Sequence, residues 1–431
     1  MHPRILLLCM AIFFTGLTGP VTAQQLPPLI CGTPDQKPTG LAKVSSLQGS
    51  SIAVKGKKKA LVLRIGFLDV PYTTDTAQIN SVNRSVNDFY RSMSQNTFEW
   101  DWRIYDSILI VPGNRAEYKE DDGKIESWIA KELKVRNLSL GIDYDLYVAH
   151  FSSISRSWLG RAPKSSEAYI NTFYDFRVLS HELGHTLGIP HARSVDVPSD
   201  FFPQAEALTM GWLPVKEYGQ QYDIMGNQWA LGHFNALSKW KLGWLNVNEV
   251  QEVSASGVYR FYSHDNTFHK DQPKAIRIRL DSNQAFIVYA WFEYRTKEDF
   301  IASGGVSVIL EIKIGNTQIG YREMERHLNI APGSPPIFWE LNGILYTGRH
   351  LKHKYNQKIV KVLATGPDRS PENGYVDLQV TIPGTDPVSV LKKGSKTLDG
   401  LTPSTEFDLA GRKLQRQSRH GKFFTKPISS K

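Results

Sequence analysis

Cysteine is almost missing from this 431-residue sequence, which contains only Cys9 and Cys31. Two cysteines so placed exclude a disulfide-built scaffold, so the chain must draw its stability from burial or from a bound metal. No run of 18 apolar residues occurs either, which speaks against stable membrane insertion. Excess charge of one sign is also scarce. Lys and Arg outnumber Asp and Glu by 51 to 42, and residues 386–431 alone hold 10 basic and 4 acidic residues. The body is therefore close to neutral, and a nucleic-acid partner is not expected, because phosphate recognition needs a basic face on the folded part. What is present is core-forming material, at 41% hydrophobic residues. At roughly 100–200 residues per domain, this length implies more than one folded unit.

Arg4 precedes an apolar stretch from Ile5 to Leu17, and Val21-Thr22-Ala23 follows with small spaced residues. That is the pattern of a secretory signal peptide over 1–23, and it implies a secreted or cell-surface location. Residues 24–57 are rich in Gln, Pro, Gly, Ser and Lys, and read as a pro-segment or linker, with order expected from Lys59. Ala60 to Phe67 reads as a buried strand, and Thr76 to Ser94 as a helix with Val82, Val86, Phe89 and Met93 at helical spacing. Phe98 to Val111 reads as a strand pair, Lys124 to Val135 as a helix and Tyr144 to Phe151 as a strand, followed by an irregular stretch at 152–167. Beyond residue 250 the pattern changes to short strand-like runs, from Val258–Tyr262 to Tyr375–Ile382. The expected layout is an α/β domain over 58–250, a β-rich domain over 251–385 and a basic C-terminal extension over 386–431.

The chemistry is concentrated in His181-Glu182-Leu183-Gly184-His185-Thr186-Leu187-Gly188-Ile189-Pro190-His191, which has the form H-E-x-x-H-x-x-G-x-x-H. On a helix, positions i and i+4 share a face, so His181 and His185 can offer two nitrogens to one ion at about 2.0–2.1 Å. Gly188 can adopt a conformation that ends the helix, and Pro190 cannot continue it, so the chain can return His191 as a third ligand. Three neutral imidazoles leave a dipositive zinc with one open position, the arrangement of a single catalytic ion. Glu182, beside the ligands, is placed to take a proton from a metal-bound water and to deliver one to a leaving amine.

This stretch resembles the metzincin zinc metallopeptidases, whose pattern implies a methionine-bearing turn beneath the metal. Tyr222-Asp223-Ile224-Met225-Gly226 fits that turn, with Met225 implied to pack under the histidines without ligating the ion. Ala192 and the run from Gly232 to Trp244 are most similar to gametolysin-type peptidases and their immune-inhibitor-A-like relatives. The resemblance implies an α/β metzincin catalytic domain, with a twisted mixed sheet and an active-site helix, followed by a mostly β domain. It also implies a secreted zinc endopeptidase acting on protein or peptide substrates. The chain departs from astacins and serralysins, which carry a tyrosine two residues beyond the methionine. Asn227 stands there, so the group that stabilises the oxyanion is unassigned. His233 reads as a packing histidine beside Trp240. Asp196 and Asp200 stand singly, so no calcium loop is readable.

Cys31-Gly32-Thr33-Pro34-Asp35 resembles the latency switch of matrix metallopeptidases, in which a thiolate fills the open zinc position. Ile30 replaces the arginine of that pattern, and an incidental thiol is the competing reading. Glu406 to Leu414, followed by Gly421-Lys422-Phe423-Phe424, resembles the end of type IX secretion sorting domains, which implies secretion machinery as a partner. Two other functions suit the same residues. One is a secreted binding or adhesion protein with a vestigial metal site; the other is a zinc hydrolase of non-peptide amides.

Overall fold

The first strand, β1 (Gly56–Phe67), carries apolar residues on both faces from Ala60 onward, which suits a strand of a parallel sheet covered on both sides. In the computed structural model it does lie inside such a sheet. The structure describes residues 31–33, 54–118, 122–154, 156–197, 200–227, 230–282, 285–296, 305–316, 320–330, 344–366, 372 and 374–389. The expected signal peptide, most of the expected pro-segment and the secretion-like C-terminal motif lie outside the described residues. Among those described, no helix is long and apolar enough to cross a membrane.

After β1 come α1 (Thr76–Met93), β2 (Phe98–Val111), α2 (Asp122–Val135), β3 (Leu146–Phe151), β4 (Gly160–Lys164), β5 (Glu167–Asn171) and α3 (Phe176–Thr186). The strands form a sheet in the order β2-β1-β3-β5-β4, parallel except for β4, which runs antiparallel at one edge. One face packs Ala60 and Val62 against Ile79, Val86 and Tyr90 of α1 and Leu179 and Leu183 of α3. The other packs Leu61, Leu63 and Ile65 against Ile125, Ile129 and Leu133 of α2. Side-chain alternation along β1 thus feeds two cores at once.

Three details differ from the sequence expectations. Order in β1 begins at Gly56 rather than Lys59. Phe98 to Val111 is one strand, because Ile104 pairs with Val62 and Ile108 with Arg64, so two extra residues bulge out of an edge strand around the polar Asp106-Ser107. Arg64 secures the bulge by donating to the carbonyls of Tyr105 and Asp106 at 3.2 and 2.7 Å. The stretch read as irregular over 152–167 contains β4, whose small and basic residues hide it because an edge strand needs no continuous apolar run.

The chain continues through β6 (Ser194–Asp196), α4 (Ala205–Thr209), β7 (Val215–Lys216), α5 (Ala236–Lys241), β8 (Val250–Val253), β9 (Gly257–Tyr262), β10 (Ala275–Ser282), β11 (Phe286–Glu293) and β12 (Gly305–Asn316). It ends with β13 (Gly320–Asn329), β14 (Ile344–Tyr346), β15 (His350–Lys352), β16 (Ile359–Thr365), β17 (Tyr375–Thr381) and β18 (Val388–Ser389). The second half is mostly strand, as expected. One sheet runs β7-β6-β13-β12-β11-β10-β8, with β14 paired to β12, and another runs β15-β16-β17-β9-β18. Ile276 and Ile278 of β10 and Leu310 of β12 meet Phe261, Val362 and Leu378 across a shared core. The opposite face of the larger sheet packs Tyr289, Trp291 and Ile309 against Ala236 and Leu237 of α5. β6 and β7 precede residue 250 yet pair in this sheet, so backbone hydrogen bonding crosses the expected division between the two parts.

Phe234 sits where those parts meet α3. It is fully buried, stacked on Trp244 at 5.8 Å and edge-on to Tyr90 at 5.9 Å. Phe234→Ala should therefore destabilise the protein by about 3–5 kcal/mol. The check is the guanidinium unfolding midpoint against wild type, where an unchanged midpoint would remove Phe234 from the supporting core.

Candidate metal centre

Helix α3 carries two of the expected ligands. Its first turn is capped by Asp175, whose carboxylate accepts from Arg177 N at 2.9 Å and Val178 N at 3.2 Å. Gly188, with φ of 84°, ends the helix in a conformation that side-chain-bearing residues resist, and Ile189 N donates to Gly184 O at 3.1 Å. The chain then turns back. His181, His185 and His191 meet with ring centroids 4.6–5.3 Å apart. Met225 is fully buried against the same helix at Gly184, where a methyl group would collide with its sulfur, so the turn carrying Met225 needs glycine at that helix position.

Each imidazole has its Nδ1 hydrogen claimed by an acceptor. His181 Nδ1 donates to Ile224 O at 2.8 Å, His185 Nδ1 to Ile189 O at 2.9 Å and His191 Nδ1 to Glu217 Oε1 at 2.5 Å. These bonds fix the tautomer and aim the Nε2 lone pairs inward. Burial, and then the neighbouring His191, lower His181 to a pKa of about 3, and burial holds His185 well below the ordinary histidine value. Both rings stay neutral, as ligation requires.

The fourth group is Cys31. Its Sγ lies 3.6 Å from His185 Nε2, and the four donor atoms all lie within 4.8 Å of one another. The thiol that the sequence left between latency ligand and incidental residue is thus at the histidine cluster. Gly32 N donates to Gly160 O at 2.7 Å, which lays the segment along β4 at the free edge of the first sheet. Thr33 Oγ1 accepts from Ala162 N at 2.8 Å and donates to Glu182 Oε2 at 2.9 Å. Burial raises Glu182 to a pKa of about 8, against the lowering effect of its bonds to Cys31 and Thr33. Burial and the nearby Glu182 charge likewise push the Cys31 thiol up.

The donor set is compatible with a metal ion. His181 Nε2 is buried and makes no hydrogen bond among the described residues. His185 Nε2 and His191 Nε2 stand 3.0 Å apart with both Nδ1 hydrogens committed elsewhere, so two lone pairs face each other unless a cation or proton lies between them. Tetrahedral zinc would separate two such nitrogens by about 3.3 Å and a nitrogen from a thiolate sulfur by about 3.6 Å. A dication also reverses the penalty on the thiolate, since a coordinating thiol is deprotonated outright.

Sequence reasoning missed three side chains here. Thr33 lies beside Cys31 but carries no metal signature. Glu217 and Tyr218 are delivered by a short ladder in which Ser194 of β6 pairs with Lys216 of β7, bringing residues 217–218 back against His191. Glu217 is further held by Arg193, whose Nε donates to Oε2 at 2.7 Å. Burial opposes its charge, but the hydrogen bonds from His191 and Arg193 prevail and lower it to a pKa of about 2. The Tyr218 ring lies 4.2 Å from that of His191, and burial raises its phenol, which stays protonated at neutral pH. His233 packs edge-on against Phe89 at 5.4 Å and meets Lys239 Nζ at 3.0 Å. No family model matches the chain and no curated protein matches it, so the site is read from its own chemistry.

Glu217 orients a ligand from outside the donor set. Glu217→Gln should weaken zinc binding about 10–100-fold. Competition against a chromophoric chelator measures this, and an unchanged dissociation constant would show that His191 needs no carboxylate partner.

Proposed function

We propose that this protein is a secreted, latent zinc endopeptidase of metzincin type, with His181, His185 and His191 as the zinc ligands and Cys31 as the latch. One observation carries the reading: a single tripeptide, Cys31 to Thr33, puts a thiol into the three-histidine donor set and a hydroxyl onto the adjacent Glu182. A closed structural site would need no carboxylate beside it. Zinc, when bound, supplies Lewis acidity toward water and toward a substrate carbonyl.

The chain's own groups supply the rest. Glu182 takes a proton from the attacking water as the new C–O bond forms, and passes one to the amine nitrogen as the C–N bond breaks. That role requires Thr33 to leave, because its hydroxyl occupies Glu182 Oε2. β4 then offers a free edge. The present occupant uses main-chain pairing to that edge, which favours an extended peptide over a glycan or other non-peptide amide as substrate. Burial holds His181 and His185 neutral against the raising effect of their Nδ1 bonds, and those bonds fix the tautomer, so the donor set is preorganised before any substrate arrives.

Two outcomes are expected in the full chain. Glu182→Ala in an unlatched background should retain zinc, measured by elemental analysis, while peptide cleavage falls on the order of 10³-fold; near-normal turnover would refute the assignment of Glu182. The wild-type chain should show a lag before casein cleavage that Cys31→Ala removes, and identical progress curves for the two would reject the latch.

A further inference from the structure

Tyr218 takes no part in the proton transfers assigned to Glu182. It is a bulky residue with φ of 53°, in the left-handed region that such side chains avoid and that functional sites retain at a cost. The residue before it, Glu217, is tied to both His191 and Arg193, so the backbone at 217–218 is fixed from two sides. The strained turn sends the Tyr218 ring over His191, with centroids 4.2 Å apart, and to within 6.1 Å of His181. Cys31 and Glu182 are both close enough to act on the ionisation of its phenol. The ring therefore stands beside the position where Cys31 offers the fourth donor atom.

We infer that the Tyr218 hydroxyl is the oxyanion donor of this site: once Cys31 withdraws, it hydrogen-bonds the oxygen that develops negative charge on the attacked carbonyl. This assignment rests on the peptide-hydrolysis reading above. It gives a physical reason for the strained backbone. A donor fixed before reaction stabilises developing charge without reorganisation, and its loss typically costs about 10²–10³-fold in kcat. No bond is made or broken by the tyrosine; it donates one hydrogen bond and keeps its proton. Tyr218 enters the site seven positions before Met225 in the chain, through the β6–β7 ladder.

The test uses the full chain carrying Cys31→Ala, zinc-loaded, with and without Tyr218→Phe. The expected result is a kcat about 10²-fold lower with KM nearly unchanged, and zinc content equal in the two proteins. A phosphinic peptide, whose tetrahedral phosphinate mimics the charged intermediate, should lose affinity by a similar factor in calorimetry. The matching uncleaved amide peptide should bind both proteins alike. Equal kcat and equal phosphinate affinity would overturn the proposal. So would a loss confined to KM or to zinc content, which would make Tyr218 a packing partner of His191. If the Cys31→Ala parent itself cleaves no peptide, the peptidase reading fails on its own, and the phosphinate comparison still decides the tyrosine: a selective loss keeps the donor, and equal or absent binding removes it.

Discussion

Three imidazole lone pairs aimed into a space less than 5 Å across form an arrangement that a folded chain cannot leave to chance. The 3.0 Å approach of His185 Nε2 to His191 Nε2 is repulsive between neutral rings, and the fold sustains it with acceptors behind every ring. The methionine turn supplies the Ile224 carbonyl, the turn after the helix supplies the Ile189 carbonyl, and the loop after β7 supplies the Glu217 carboxylate. Each acceptor pins an Nδ1 hydrogen and so commits the opposite nitrogen to the centre. These acceptors come from parts of the chain far apart in sequence, and a dication would satisfy the nitrogens they orient.

The β-rich half is part of that holding structure. β6, which begins three residues after His191, pairs with β13, and His327 N donates to Arg193 O at 2.8 Å. The larger sheet therefore grips the return from the third histidine directly. A second connection runs through buried charge. Arg295, beside Glu293 at the end of β11, donates to Tyr222 O at 3.1 Å and to His233 O at 2.7 Å, and Glu293 Oε2 accepts from Ala236 N at 2.6 Å. Asp223 closes the methionine turn by accepting from Met225 N at 2.9 Å and Asn235 N at 2.8 Å. Buried groups of this kind are strongly destabilising when one partner is lost. They make the two halves one mechanical unit around the site, which neither the composition nor the strand pattern of residues 251–385 announces.

What was legible in the sequence is what depends on local spacing. The i, i+4 relation of His181 and His185, the helix-ending role of Gly188 and the two-sided burial of β1 are properties of short segments, and each has its counterpart in the structure. Met225 was legible through the resemblance alone, since an isolated methionine carries no positional signal. Glu217, Tyr218 and Thr33 were not legible, because each reaches the site through strand pairing: Ser194 with Lys216 in one case, Cys31 with Gly160 in the other. Nothing in the spacing of residues 217 and 191 declares that register. The single strand at Phe98 to Val111 was hidden for a related reason, since a bulge interrupts an apolar run without interrupting its hydrogen bonding.

The proposed latch would account for a thiol and a hydroxyl two positions apart in one short segment. A cysteine alone would fill a coordination position but leave Glu182 free to work on any water that entered. A threonine alone would occupy the carboxylate but leave the metal open. Cys31 and Thr33 stand two residues apart, and Thr33 N donates to Cys31 Sγ at 3.3 Å, so the two side chains are tied together within one tripeptide. The Gly32 amide between them points to Gly160 O, and Ala162 N returns a bond to Thr33 Oγ1, so four contacts share one short piece of backbone. Breaking any one weakens the geometry of the others, and release proceeds as a single event. Main-chain pairing to β4 is also the interaction an incoming extended peptide would use, so a substrate competes for the edge that the latch must vacate. On this reading, latency and substrate recognition are two occupancies of the same sheet edge, and the metal is exposed only in the interval between them.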